Sequence, residues 1–212
     1  MAQNGEFQSS GSFQKMLERN GEVPRAVDTL VHCLIQAQAA QRPEAQAVCS
    51  WDGNLTYAEL DNFSSRLANH LVTQGVTPEV LVPLCFEKSK WTAVGLLAVL
   101  KSGGAFLLLD PSQPIARLES IIKQTGAIFA LSSASCFDTC KALVDKTFVL
   151  DDTTFLKLGN SLAVLCSSVK PNNAAYYIFT SGSTALPKGV ISMYFSIVVR
   201  HSPYFKRLPC WI

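Results

Sequence analysis

Charge is scarce in this sequence. Charged residues make up 16% of the 212 positions, below the ~25% of an average soluble domain. The two signs nearly cancel, leaving a net charge of +2. A chain without a field of one sign is not built to track nucleic-acid phosphates. An apolar share of 48% excludes a disordered chain and suffices for a sizeable core. So little charge predicts a surface that expects a partner or a continuation of the fold. Glycine and proline, at 12 and 10 residues, are too few for a collagen or a linker. Long apolar runs are also lacking. The longest, Trp91–Leu109, is broken by Lys101-Ser102-Gly103-Gly104, and neither piece approaches the ~20 residues that span a bilayer.

Metal-ligand patterns are absent as well. The seven cysteines (Cys33, Cys49, Cys85, Cys136, Cys140, Cys166 and Cys210) contain no C-x-x-C pair. The three histidines, His32, His70 and His201, complete no zinc spacing. The first residues have neither a basic n-region nor an apolar h-region. Secretion is therefore not expected, and free thiols in a cytoplasmic protein are the default expectation.

The length predicts one domain at roughly 100–200 residues each. Residues 1–24 are polar and read as a mobile tail. Val27, Leu30, Val31, Leu34 and Ile35 fall at helical spacing, in a helix that ends before Pro43. Ala47–Cys49 reads as a strand with Asp52-Gly53-Asn54 as its turn. Thr56 and Glu59 form a capping box ahead of Leu60, Phe63, Leu67 and Leu71, and Gly75 suits the helix exit.

Val80–Phe86 reads as a strand, and Ser89 caps a helix over Lys90–Lys101 that Gly103-Gly104 closes. Ala105–Leu109 is a buried-type strand. Ile115, Leu118, Ile121 and Ile122 define a helix ending near Gly126. A strand over Ala127–Leu131, a weaker helix over Phe137–Lys146 and strands over Thr147–Leu150 and Ala174–Thr180 complete the pattern. Strands alternating with helices predict an α/β fold with a parallel, doubly wound sheet.

The segment Tyr176-Tyr-Ile-Phe-Thr-Ser-Gly-Ser-Thr-Ala-Leu-Pro-Lys-Gly-Val190 carries the chemistry. A strand runs into four hydroxyls, on Thr180, Ser181, Ser183 and Thr184. Gly182 allows close backbone approach, Lys188 adds a cation and Gly189 permits a sharp exit. Hydroxyls, bare N–H groups and one lysine suit a polyphosphate. They also suit an ordinary Ser/Thr-rich turn. The loop is not a Walker A motif, because Lys188 is followed by Gly189.

Thr-Ser-Gly-Ser-Thr-x-x-Pro-Lys-Gly resembles the signature of AMP-forming adenylating enzymes. Two upstream segments are similar to the first two core motifs of nonribosomal peptide synthetase adenylation domains: Leu55-Thr-Tyr-Ala-Glu-Leu60 and Leu100-Lys-Ser-Gly-Gly-Ala-Phe-Leu-Leu-Leu-Asp110. Pro83–Trp91 and Asn173–Tyr176 resemble the same branch. The resemblance runs from about Val27 to Ile191 with its motifs in order. It implies three regions: the tail 1–24, the N-terminal part of an adenylation domain at 25–191, and a tail at 192–212 without a match. The fold implied is an incomplete N-terminal part of the adenylate-forming enzyme fold.

The activity implied is adenylate-forming ligation. ATP and Mg²⁺ activate an amino or other carboxylic acid to an acyl-adenylate, and the acyl group passes to the phosphopantetheine thiol of a carrier domain. Carrier and condensation domains are the partners implied. Thr180, Ser181, Gly182, Ser183, Thr184 and Lys188 match the phosphate-binding loop that holds the β- and γ-phosphates. No catalytic residue and no metal ligand is assigned. Leu60 and Leu109 are expected in the core.

Three departures qualify the resemblance. Ala185 stands where the family has glycine, which is expected to weaken ATP binding. Leu108 replaces the proline usual near the end of the second motif. The family's histidine after Val190 aligns near Tyr194. The free chain is expected to be inactive, with an exposed sheet edge or face. A non-catalytic remnant that binds polyphosphate weakly or not at all, and an acyl-CoA synthetase fragment, remain alternatives.

Overall fold

The computed structural model describes residues 29–159, 169–180 and 187–194. The N-terminal helix α1 covers Val31–Gln41. A short antiparallel pair follows, β1 (Gln46–Val48) with β2 (Leu55–Thr56). Thr56 then opens α2 (Tyr57–Thr73) through the expected capping box. Its hydroxyl accepts the Glu59 N–H at 3.2 Å, and the Glu59 carboxylate accepts the Thr56 N–H at 2.8 Å. Leu60, Leu67 and Leu71, on one face of α2, are buried as their spacing requires.

The main sheet comprises β3 (Leu81–Cys85), β4 (Ala105–Leu109), β5 (Phe129–Ser132), β6 (Lys146–Val149), β7 (Ala174–Thr180) and β8 (Lys188–Met193). Its spatial order is β6-β5-β3-β4-β7-β8. All neighbours run parallel except β7 and β8. Pro83 is tolerated inside β3 because pairing with β5 begins only at Leu84.

The connecting helices are α3 (Lys90–Ser102), α4 (Ile115–Thr125), α5 (Phe137–Leu143) and the five-residue α6 (Asp152–Leu156). Helix α3 carries the chain from β3 to β4 and packs with α2 over Val82, Leu84 and Leu131. Helices α4 and α5 carry it back past β3 to β5 and β6, over Cys85, Leu107 and Ala130 on the other face. Direction and face reverse together, as right-handed crossovers require. The sheet is therefore doubly wound.

Local chemistry explains the joints. Ser89 caps α3 by accepting the Trp91 N–H at 3.0 Å, while Asp52 accepts from the Ser89 hydroxyl at 2.6 Å and the Lys90 N–H at 2.9 Å. Gly103 ends α3 at a φ of 91°. A Cβ on Gly104 would lie 2.7 Å from Val76 Cγ1 and 3.1 Å from the Val80 carbonyl. The glycine pair thus turns the chain and lets β4 start against β3. Lys101 is 1% exposed. Its ammonium is satisfied by Asp61 Oδ1 at 2.7 Å, the Asp61 carbonyl at 2.9 Å and Ser65 Oγ at 2.9 Å. Burial lowers the Lys101 pKa, and Asp61 opposes that shift.

The structure corrects three readings. The helix expected over Phe137–Lys146 stops at Leu143, because Val144 is extended and Lys146 already pairs with Phe129. After the last strand expected, Ala174–Thr180, a further strand, Lys188–Met193, returns beside β7 in antiparallel pairing. Gly189 is accordingly no exit residue. It lies within β8, and a Cβ there would come 3.1 Å from Phe179 Cζ. The Phe179 ring across the hairpin leaves only tight room for a side chain there.

Candidate functional site: the mouth of the β7–β8 hairpin

Strand β7 enters the sheet buried at Ala174 and Ala175 and becomes exposed toward Thr180. Its pairing with β4 covers only Phe106–Tyr176 and Leu107–Tyr177. Beyond these pairs the parallel ladder ends, and β7 continues with β8 alone. Thr180 faces Lys188 across the final pair of the hairpin. The Thr180 hydroxyl donates to the Lys188 carbonyl at 3.5 Å. Both residues are exposed, and Lys188 makes no ion pair among the described residues. An ammonium without an ion-pair partner among the described residues and a hydroxyl therefore flank the loop at the carboxyl end of a parallel strand. Open α/β sheets bind ligands at such ends.

Of the residues singled out for phosphate binding, the structure places Thr180 and Lys188 and brings them together. Ser181, Gly182, Ser183 and Thr184 lie outside the described residues, as does Ala185.

Two clefts adjoin this end of the sheet. One, of about 400 Å³, opens between β4 and β7 and is lined by Leu109, Asp110, Gln113, Arg117 and Phe179 among others. The other, of about 370 Å³, lies beyond the ends of β3 and β4, where the winding direction reverses. They share Leu108, Leu109 and Asp110. The Asp110 carboxylate accepts the Ser112 hydroxyl at 2.7 Å and the Ser112 N–H at 2.9 Å, with Gln113 Nε2 at 3.4 Å. These bonds hold its pKa below the usual carboxylate range. The second core motif thus ends in a self-capped turn. Leu60 and Leu109 are buried, as expected.

Tyr194, where the family histidine was expected, is fully buried. Its hydroxyl donates to the Leu100 carbonyl at 2.9 Å and the Gly104 carbonyl at 3.3 Å. His32 meets its ring edge-on, with centroids 5.8 Å apart. Tyr194 follows the far end of β8 from Lys188 and ties the hairpin to α3. The sequence reading had no signal for His32 as part of this cluster. Burial, with the nearby Lys101 charge second, pushes the His32 pKa down to about 4.

Among the described residues, no group of three or more His, Cys, Asp or Glu could hold a metal ion, and no helix is long and apolar enough to cross a membrane.

Comparison with known proteins gives the family and the fold. The AMP-binding enzyme family model matches residues 35–204, and so enters the segment that the sequence reading set apart. Nonribosomal peptide synthetase TES from Alternaria alternata is 47% identical over 177 residues, covering 84% of this chain and 3% of that protein. Nonribosomal peptide synthetase 30 from Fusarium vanettenii is 44% identical over 202 residues, covering 93% of this chain and 3% of its own length. The chain thus spans a small part of these relatives.

The solved nonribosomal peptide synthetase FmoA3, bound to α-methyl-L-serine-AMP, superposes with a TM-score of 0.77 at 28% identity, over 90% of this chain and 21% of its own. VinN superposes with the same TM-score at 24% identity, over 85% of this chain and 47% of its own, and supports the fold. The chain belongs to the AMP-binding enzyme family, with nonribosomal peptide synthetases as its relatives and part of the adenylate-forming enzyme fold as its structure.

Proposed function

We propose that the β7–β8 turn is the phosphate-holding loop of a nonribosomal-peptide-synthetase-type adenylation reaction. The single observation that carries this reading is the pairing of exposed Thr180 with exposed Lys188 at the mouth of the Ser-Gly-Ser-Thr loop. Lys188 supplies the charge for the β- and γ-phosphates of ATP. Thr180 and the loop hydroxyls orient those oxygens. Positioning and charge compensation are what such chemistry chiefly asks of protein groups.

In the reaction proposed, the substrate carboxylate attacks the α-phosphorus and pyrophosphate leaves, giving an acyl-adenylate. The acyl group then passes to a phosphopantetheine thiol on a carrier domain, beside a condensation domain. The exposed donor set at the hairpin mouth fits a polyphosphate. Mg²⁺ would supply charge neutralisation for the bound phosphates, and among the described residues no side-chain cluster would hold it. The chain's own share is to bind and orient. Turnover is assigned to a longer protein, so the 212-residue chain is expected to be inactive alone.

Calorimetric titration of the chain with MgATP tests this reading. Ala185→Gly is expected to tighten binding, because it restores the glycine usual in the family at this loop position. Tighter binding supports the reading. No heat from either form would favour a non-catalytic remnant, the alternative that Ala185 raises.

A further inference from the structure

A cleft of about 470 Å³ opens between the second half of α2, strand β6 and the end of α6. Its volume is that of a small-molecule site. Strands β6 and β8 form opposite edges of the sheet, so the cleft lies across the molecule from the hairpin mouth. Its walls are basic. Arg66, Asn69, His70 and Thr73 recur at helical spacing and present one polar stripe of α2 to it. Lys157, just after α6, supplies the other wall. Phe148 of β6 adds an aromatic surface, with the His70 ring 4.6 Å from it between centroids. No aspartate or glutamate lines the cleft among the described residues.

The carboxylates of these elements are committed elsewhere. On α2, Glu59 closes the capping box with Thr56, and Asp61 holds Lys101. At α6, Asp151 accepts the Thr154 N–H at 2.7 Å, and Asp152 pairs with Lys90 at 2.9 Å. Lys157 and Arg66 therefore make no ion pair among the described residues. Arg66 is nonetheless fixed in place. Its Nε donates to the Gly159 carbonyl at 3.2 Å, and its Nη2 donates to the carbonyls of Leu158 at 2.5 Å and Phe155 at 3.4 Å. Its guanidinium carbon stands 4.3 Å from the centre of the Phe155 ring. Nη1 is left without a partner among the described residues.

We propose that this cleft binds a phosphate dianion, free or carried on a small ester. Such a group carries about −1.5 to −2 charges at pH 7 and three acceptor oxygens. Arg66 and Lys157 match that charge. Arg66 Nη1, Lys157 Nζ and the His70 imidazole are the donors. A planar guanidinium already held by carbonyls suits such an anion, because little side-chain freedom is lost on binding. The Phe148 ring offers an apolar surface to the organic part of an ester.

The charged groups that bear on His70 are all basic. They are Arg66 one turn earlier on α2, Lys157 at the end of α6, and Lys146, which shares one face of β6 with Phe148. Burial lowers the His70 pKa in the protein alone. A protonated His70 would also repel Arg66, four residues away on the helix, unless an anion sat between them. A bound dianion therefore moves the His70 pKa upward.

The test is an NMR titration of the full chain. The Lys188→Ala variant is the starting protein, so that the hairpin mouth does not compete for phosphate. Inorganic phosphate is expected to shift the Arg66, His70 and Lys157 signals to saturation, while sodium chloride of the same ionic strength does not. The His70 pKa, read from its imidazole protons, should rise in phosphate. Adding Lys157→Ala, at an exposed position, should weaken binding about tenfold or more. Tighter binding of phenyl phosphate than of inorganic phosphate assigns the cleft to an ester. Equal or weaker binding assigns it to free phosphate. Equal shifts in chloride and phosphate would overturn the proposal. So would an affinity unchanged by Lys157→Ala, or a His70 pKa that ignores phosphate.

Discussion

Strands β3 and β8 both carry large apolar side chains, though Lys188, Gly189 and Ser192 make up half of β8, and they live in opposite surroundings. Every residue of β3 is buried. No residue of β8 is, and Val190, Ile191 and Met193 are 55%, 54% and 44% exposed. The difference lies in what covers them. β3 has α3 on one face, α4 and α5 on the other, and paired strands at both edges. β8 has β7 on one edge, and the described residues leave its other edge open. An apolar strand pattern therefore specifies a strand, while burial depends on which crossovers happen to overlie it. Among the described residues that edge is open, and an open apolar edge is a pairing hazard.

The comparison breaks most sharply in the covered region. Leu84→Ala, at a fully buried position beneath Gly95, is expected to cost about 2–5 kcal/mol in denaturant unfolding. A cost below about 1 kcal/mol would show that this core is loosely packed.

Acid sharpens the contrast next. His32 has a folded pKa of about 4 against about 6.5 unfolded. The unfolded chain therefore binds the proton first. The stability contributed by neutral His32 is full above about pH 6.5 and is lost as pH falls toward 4, by about 3 kcal/mol in all. Urea midpoints measured across that window check it. His32→Phe should flatten the slope, and an unchanged slope would remove His32 from the account.

At the junction of the two regions, Tyr194→Phe strips the donor shared by the Leu100 and Gly104 carbonyls. Thermal unfolding is expected to register a loss of about 1–3 kcal/mol. The smallest effect belongs to the open strand. Val190→Thr should change stability by no more than about 0.5 kcal/mol. A loss comparable with that of Leu84→Ala would mean that β8 is covered in solution.

What was legible in the sequence was local. Ala105–Leu109 and Ala174–Thr180 stand where their apolar runs put them. The Thr56–Glu59 box and the Ser89 cap are contacts within three residues, so spacing reveals them. Long-range features were not visible. β2 is two residues long, and only its register with β1 makes it a strand. The Lys101–Asp61 pair joins residues forty positions apart, through the packing of two helices. The residues proposed for the phosphate loop were recognisable by type. Placing Thr180 beside Lys188 required β8, whose antiparallel return no periodicity announces.

The account rests on the hairpin mouth holding a polyphosphate. The most direct test is titration of the chain and of Lys188→Ala with inorganic tripolyphosphate. Lys188 is exposed and outside the core, so the variant should fold. Losing a charge-assisted contact of about 1.5–3 kcal/mol should weaken binding about tenfold or more. Equal affinity in the two proteins would contradict the assignment of the loop.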